Sequence, residues 1–263
     1  MNMKTILAAL IVFGLGSGAA NAAGEAHIEN FKFSFEGPFG RYDTHQLQRG
    51  LQIYTEVCSA CHGLRQVSFR TLSDHGGPQL DPEQVKAFAA QFEVPDDGDE
   101  AEPGDTREAI VSDKFPVSPN EDAPDLSNMA KARAGFHGPY GSGLNQLFKG
   151  MGGAENIASL MAGYTGEEKE EAGVTLYENT AFPGGWISMP PPLEDGLVEF
   201  RDGHANDVHH MSADVAAFLM WTAEPKMMAR KKTGVLAIAF MILFSTLLYF
   251  SNKKIWAREK RKI

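Results

Sequence analysis

Cysteine is nearly absent from this 263-residue chain: two occur, Cys58 and Cys61. No disulfide framework can therefore hold the fold, and the core must come from apolar burial, which a chain of this length can supply. A dinucleotide fingerprint is also missing. Gly141-Ser142-Gly143 and Gly150-Met151-Gly152-Gly153 lack both a preceding strand and the full glycine spacing, and they read as helix boundaries. Positive charge is scarce over most of the length. Residues 23–225 hold 33 acids and 13 bases, a net of −20, which repels nucleic acid and attracts basic partners in a salt-dependent way. No internal repeat is visible.

Long apolar runs are scarce as well, and the two that occur lie near the ends. Lys4, the apolar stretch Ile6 to Leu15 and the small-x-small Ala20-Asn21-Ala22 form a secretory signal peptide over residues 1–22. Thr233 to Phe250 is an uncharged stretch of 18 residues, long enough for a transmembrane helix. Basic residues flank it at Arg230, Lys231 and Lys232 and at Lys253 and Lys254, with Tyr249 and Trp256 near the second boundary. Residues 226–263 thus read as an anchor (span about 233–250) with a basic tail. The signal peptide orients it: residues 23–225 are exported and the C-terminus stays cytoplasmic.

Between these ends the pattern is mostly helical with long loops. Phe31, Phe33 and Phe35 alternate with polar residues before Gly37-Pro38, which predicts an extended arm. Asp43 or Thr44 can cap a helix carrying Leu47, Leu51, Tyr54 and Val57. Pro95 to Pro124, rich in acids, Pro and Gly, reads as a surface insertion whose order the composition leaves open. Helical pattern resumes over Leu126 to Ala134 and from Leu144, and Gly163 to Gly185 is a polar excursion. Ser212 is read as the cap of an apolar helix through Trp221, with a bend at Pro225 before the span.

The two cysteines fall in Cys58-Ser59-Ala60-Cys61-His62, the attachment signature of a c-type haem. Thiols at this spacing reach two vinyl groups on one edge of a porphyrin, and the adjoining histidine is carried under the ring as an iron ligand. A disulfide would close a longer loop, a thioredoxin-like pair wants a βαβ context, and a zinc site needs two further ligands that the other histidines do not supply in suitable spacing. For the sixth ligand a methionine would close the iron and suit electron transfer. Met189, before Pro190-Pro191-Pro192, is held in a stiff extended loop, and Met151 among glycines is the other candidate. A haem enzyme with an open sixth position is the rival reading.

Gln48-Arg49-Gly50-Leu51-Gln52-Ile53-Tyr54 before the haem motif resembles the cytochrome c1 family. So do Pro124-Asp125-Leu126-Ser127, Ala130-Lys131-Ala132-Arg133-Ala134-Gly135, Met189-Pro190-Pro191 and Trp221-Thr222-Ala223-Glu224-Pro225 leading into the anchor. The resemblance covers nearly the whole chain after residue 22. It implies an elaborated class I cytochrome c-like helical domain with a C-terminal transmembrane helix, carrying one haem c bound through two thioethers. It implies that Met189 is the distal ligand, that Arg133 lies near a haem propionate and that Pro124 lines the haem. It also implies an electron-carrying subunit, not an enzyme on its own, of a dimeric quinol–cytochrome c reductase in a bacterial inner membrane. Its partners would be cytochrome b, the Rieske iron–sulfur subunit and a soluble basic cytochrome c on the periplasmic side. Several bacterial relatives carry a second cysteine pair before the methionine ligand. Tyr164 to Trp186 has none here, so Phe182 and Trp186 are expected to stiffen that loop by packing.

Overall fold

The computed structural model describes residues 26–96, 98, 102, 104–133 and 144–257. The signal segment, Gly141-Ser142-Gly143 and the last residues of the basic tail lie outside them. Helix α1 spans Thr44–Glu56, and Asp43 caps it by accepting from the backbone N–H of His45 and Gln46. Two short 3-10 turns follow, Cys58–Ala60 and Phe69–Ser73. Then come α2 (Pro82–Ala89), α3 (Met129–Ala132), α4 (Leu144–Phe148) and α5 (Gly153–Ala162). The chain closes with α6 (Val208–Ala223) and α7 (Met227–Trp256).

The core forms where α1, α3 and α5 pack on α6. Leu47, Ile53, Phe218 and Trp221 are fully buried there. The α1–α6 crossing is tight because Gly50 has no side chain: a Cβ at Gly50 would lie 2.2 Å from the Asp214 carbonyl oxygen and 2.6 Å from Phe218 Cβ. Asp214, itself buried, accepts from Arg49 Nε at 2.7 Å and from Gln46 Nε2 at 3.2 Å, and Arg49 also reaches Asp202. The charge that α6 buries is therefore paired and hydrogen-bonded, the condition under which a buried charge is tolerated.

The Phe31–Phe35 arm is extended and its three rings turn inward. Phe33 stacks on Phe35 at 4.9 Å, and Phe31 on His209 at 4.6 Å. Two regions differ from the sequence expectations. Residues 95–124 are not merely a surface insertion. Strand β1 (Glu93–Pro95) pairs antiparallel with β2 (Thr106–Glu108), and Phe115 is buried among Tyr54, Phe69, Phe88 and Phe92. One large ring, with Arg107 bound to Asp113 at 2.6 Å, anchors a stretch that has few large apolar residues.

The polar excursion is a three-stranded antiparallel sheet of β3 (Tyr164–Glu171), β4 (Val174–Asn179) and β5 (Trp186–Ile187). Helix α6 also starts earlier than expected. Asp207 is the cap, accepting from His210 N, whereas Ser212 lies inside the helix and donates to the Val208 carbonyl. Glu224, Pro225 and Lys226 separate α6 from α7, as the missing proline N–H requires. Among the described residues α7 is the helix long and apolar enough to cross a membrane.

Candidate haem site

The haem motif sits at the C-terminal end of α1. Val57 closes that helix through its N–H to Ile53 O, and the 3-10 turn carries Cys58 forward. The N–H groups of Cys61 and His62 both donate to the Cys58 carbonyl, at 3.1 and 2.9 Å, so one tight turn presents both sulfurs and the imidazole. Tyr54 Oη donates to the His62 carbonyl at 3.0 Å and ties the turn back to α1. The cysteines are free of disulfide; Cys61 is exposed and Cys58 half-buried. Burial, with Cys61 beside it, pushes the Cys58 thiol up to about 12.

His62 Nδ1 lies 2.8 Å from the Pro124 carbonyl oxygen. A carbonyl can only accept, so the proton sits on Nδ1 and the lone pair is left on Nε2. That arrangement fits a metal-ligating histidine, whose second nitrogen is normally anchored in this way. Pro124 therefore acts through its backbone. It is carried on a strap, 116–128, laced to residues 63–66. Gly63 N donates to Ser118 Oγ, Arg65 N to Asp125 Oδ2, Gln66 N to Ser127 Oγ and Leu126 N to Gly63 O. A Cβ at Gly63 would stand 2.4 Å from Ser118 N, so the close approach depends on that glycine.

Met189 lies half-buried two residues after β5, and its carbonyl accepts from Tyr164 Oη on β3 at 3.0 Å. Lys169 Nζ stands 4.5 Å over the Trp186 ring. Sheet pairing and these two contacts tie β3, β5 and the Met189 carbonyl together, and Trp186, one of the two residues expected to stiffen this loop, takes part through the pairing and the Lys169 contact. Arg133 follows α3 directly and is exposed. The structure thus joins Cys58, Cys61, His62 and Pro124 in one bonded cluster, while Met189 and Arg133 come on separate segments. Met151, the other methionine considered, lines a cavity beside α7 that no residue of the haem motif lines.

The sequence marks Tyr54 and Asp125 only as members of wider patterns and Tyr164 only as a loop boundary, and it gives Gly63 no role. Only Gly63, immediately after the motif histidine, carries a local signal.

A helical domain of this kind, with a thiol-thiol-imidazole turn at the end of its first helix and an apolar helix at its C-terminus, belongs to the class I cytochrome c-like proteins. The model of the family described as Cytochrome C1 matches residues 33–259, and the chain belongs to the cytochrome c1 family. It is 50% identical to the cytochrome c1 of Cereibacter sphaeroides, over 100% of this chain and 98% of that protein. Mitochondrial cytochrome c1 haem protein of Saccharomyces cerevisiae is 36% identical over 90% of this chain and 74% of its own length. A Bradyrhizobium diazoefficiens protein named cytochrome b/c1 is 40% identical over 95% of this chain and 38% of its length. Membership makes the chain the haem electron-transfer subunit of a bc1 complex.

Proposed function

We propose that this chain would hold one haem c through thioethers from Cys58 and Cys61, with His62 and Met189 supplying the iron ligands. It would accept electrons from a Rieske iron–sulfur subunit and deliver them to a soluble basic cytochrome c. The observation that carries the site assignment is the His62–Pro124 contact, because it leaves Nε2 as the free donor of a fixed imidazole. When bound, the haem supplies a one-electron couple. The protein's part is positional: the strap fixes the imidazole, Tyr164 holds the methionine loop, and Arg133 is offered to a propionate as a bidentate donor.

The acidic domain steers a basic acceptor, and α7 keeps the domain at the membrane. Residues 1–22 act as an export signal, residues 23–225 as the periplasmic domain of a bacterial inner-membrane protein and residues 226–263 as anchor and cytoplasmic tail. Cytochrome b is its neighbour in a dimeric complex; the cytochrome b/c1 relative supports that pairing.

The direct test is haem retention under denaturation. Wild-type chain should keep haem on a denaturing gel and show the mass of polypeptide plus one haem. Cys58→Ser should lose one of the two links and Cys58→Ser/Cys61→Ser all covalent haem. Full extraction of haem from the wild type by acidic solvent would defeat the proposal.

A further inference from the structure

Beneath the domain, against the first turns of α7, lies a cavity of about 310 Å³, at the lower end of the roughly 300–1,000 Å³ typical of small-molecule sites. Its floor is apolar: Phe35, Leu147, Met227, Val235 and Ile238. Its polar lining carries both signs, with Arg230 and Lys231 from α7 and Glu155 and Glu224 from the domain. Lys231 donates to the carbonyls of Phe35 and Gly40, and Arg230 Nε to Glu224. That leaves the terminal nitrogens of Arg230, an exposed side chain, for another oxyanion.

Glu155 is different. It is 2% exposed, lines the cavity and has no ion pair or side-chain hydrogen-bond donor among the described residues. A buried carboxylate without a cation is costly, and a ligand cation would relieve it. Below the cavity the exposed apolar face of α7 continues from Ile238 past Met241 to Ser245.

We propose that this cavity binds one zwitterionic amine phospholipid, its phosphate on Arg230, its ammonium on Glu155 and an acyl chain along the α7 face at Ile238 and Met241. The inference rests on the reading of α7 as a membrane span, which puts the cavity at the level of lipid headgroups. Charge sets the choice. Two acids beside two bases would repel neither end of a zwitterion, while the acids disfavour a purely anionic headgroup. A primary ammonium can donate hydrogen bonds to Glu155, which a quaternary choline cannot. Burial, reinforced by Glu36, pushes the Glu155 carboxyl up to about 7, so it stands ready to ionise fully once a cation arrives.

The test uses the haem-loaded full chain extracted from membranes, stripped of lipid, and exchanged into mixed micelles containing phosphatidylethanolamine, phosphatidylcholine or phosphatidylglycerol. Native mass spectrometry then reads bound lipid. One phosphatidylethanolamine should bind about ten-fold more tightly than either competitor. Glu155→Gln should abolish that preference, Arg230→Gln should weaken all three lipids, and Ile238→Trp, which fills the lower end of the cavity, should block them. Equal binding of the three lipids by the wild type, or an unchanged preference in Glu155→Gln, overturns the proposal. So does a complex purified from membranes in which wild type and Glu155→Gln retain the same lipids, since a neighbouring subunit would then fill the cavity. An alkaline wash separates the two failures: release of the chain from membranes sinks the anchor, whereas a retained chain that binds no lipid sinks only this site.

Discussion

Gly50→Ala tests whether the close α1–α6 crossing, on the helix that leads into the haem motif, depends on the missing side chain. The new Cβ would stand 2.2 Å from the Asp214 carbonyl oxygen and 2.6 Å from Phe218 Cβ, while ordinary carbon contacts lie at about 3.5–4.0 Å. Neither neighbour can rotate away, because one is backbone and the other a Cβ in the middle of a buried helix. The helices must part by about 1 Å, a shift that close-packed interiors resist. Overpacking of this kind costs typically 1–3 kcal/mol and sometimes more; with backbone on one side the upper figure of about 3 applies.

Against it stands the helix preference for alanine over glycine, about 1 kcal/mol. The net of about 2 kcal/mol predicts a Tm lower by about 4–8 °C for a domain of this size. The assay is thermal unfolding of the haem-loaded full chain in detergent, followed by far-ultraviolet dichroism. Gly166→Ala is the comparison. That residue has φ +89° and open space around its Cβ position, so only backbone strain of about 1 kcal/mol is at stake. A Gly50→Ala protein as stable as wild type, or less affected than Gly166→Ala, would refute the packing argument.

Four further outcomes follow from the geometry. With its folded carboxyl raised to about 7, Glu155 favours the folded state when protonated, so stability should be greatest below the ordinary carboxylate value. It should then fall between about pH 4.5 and 7 by up to roughly 3 kcal/mol and level off above. Glu36, Glu224, Arg230 and Lys231 surround it, and Glu155→Gln should flatten that slope in melts taken across the range. Tyr164→Phe removes a hydrogen bond to the Met189 carbonyl, worth about 1 kcal/mol, and the iron–methionine charge-transfer band should fade at lower temperature than in wild type. Trp186→Ala removes the platform under Lys169 and should shift the reduction potential; an unchanged potential would show that the loop does not depend on it. Electron transfer to a basic cytochrome c should slow as salt rises, and a salt-independent rate would remove the steering role of the acidic domain.

What could be read in advance followed the strength of the local signal. The Asp43 cap, the helix into Cys58 and the apolar run of α7 rest on short-range patterns that packing reinforced. Ser212 was misjudged because Asp207-Val208-His209-His210 looks like loop. In the structure the helix starts at Val208, since a capping carboxylate there outweighs two polar histidines. The β3–β5 sheet was missed because its strands are mostly exposed and acidic, so the apolar alternation that marks a strand is absent. In the site, the Cys58–His62 motif is read from its spacing, whereas the bond between the Pro124 carbonyl and His62, beside the expectation that Pro124 lines the haem, has no counterpart in the sequence pattern. Backbone acceptors leave no trace in side-chain identity. Gly63 and Tyr164 were overlooked for a related reason: each matters through a contact with residues distant in sequence.

The central claim is a haem whose iron is closed by His62 and Met189, and a redox titration of the wild type beside Met189→Leu tests it most directly. The reduced-minus-oxidised spectrum should show a c-type α band in both proteins. The potential of the variant should fall by on the order of 0.1 V or more, within the roughly 0.8 V range that axial ligands command. A variant that titrates like the wild type and keeps its charge-transfer band would contradict the account, leaving Met189 a loop residue only.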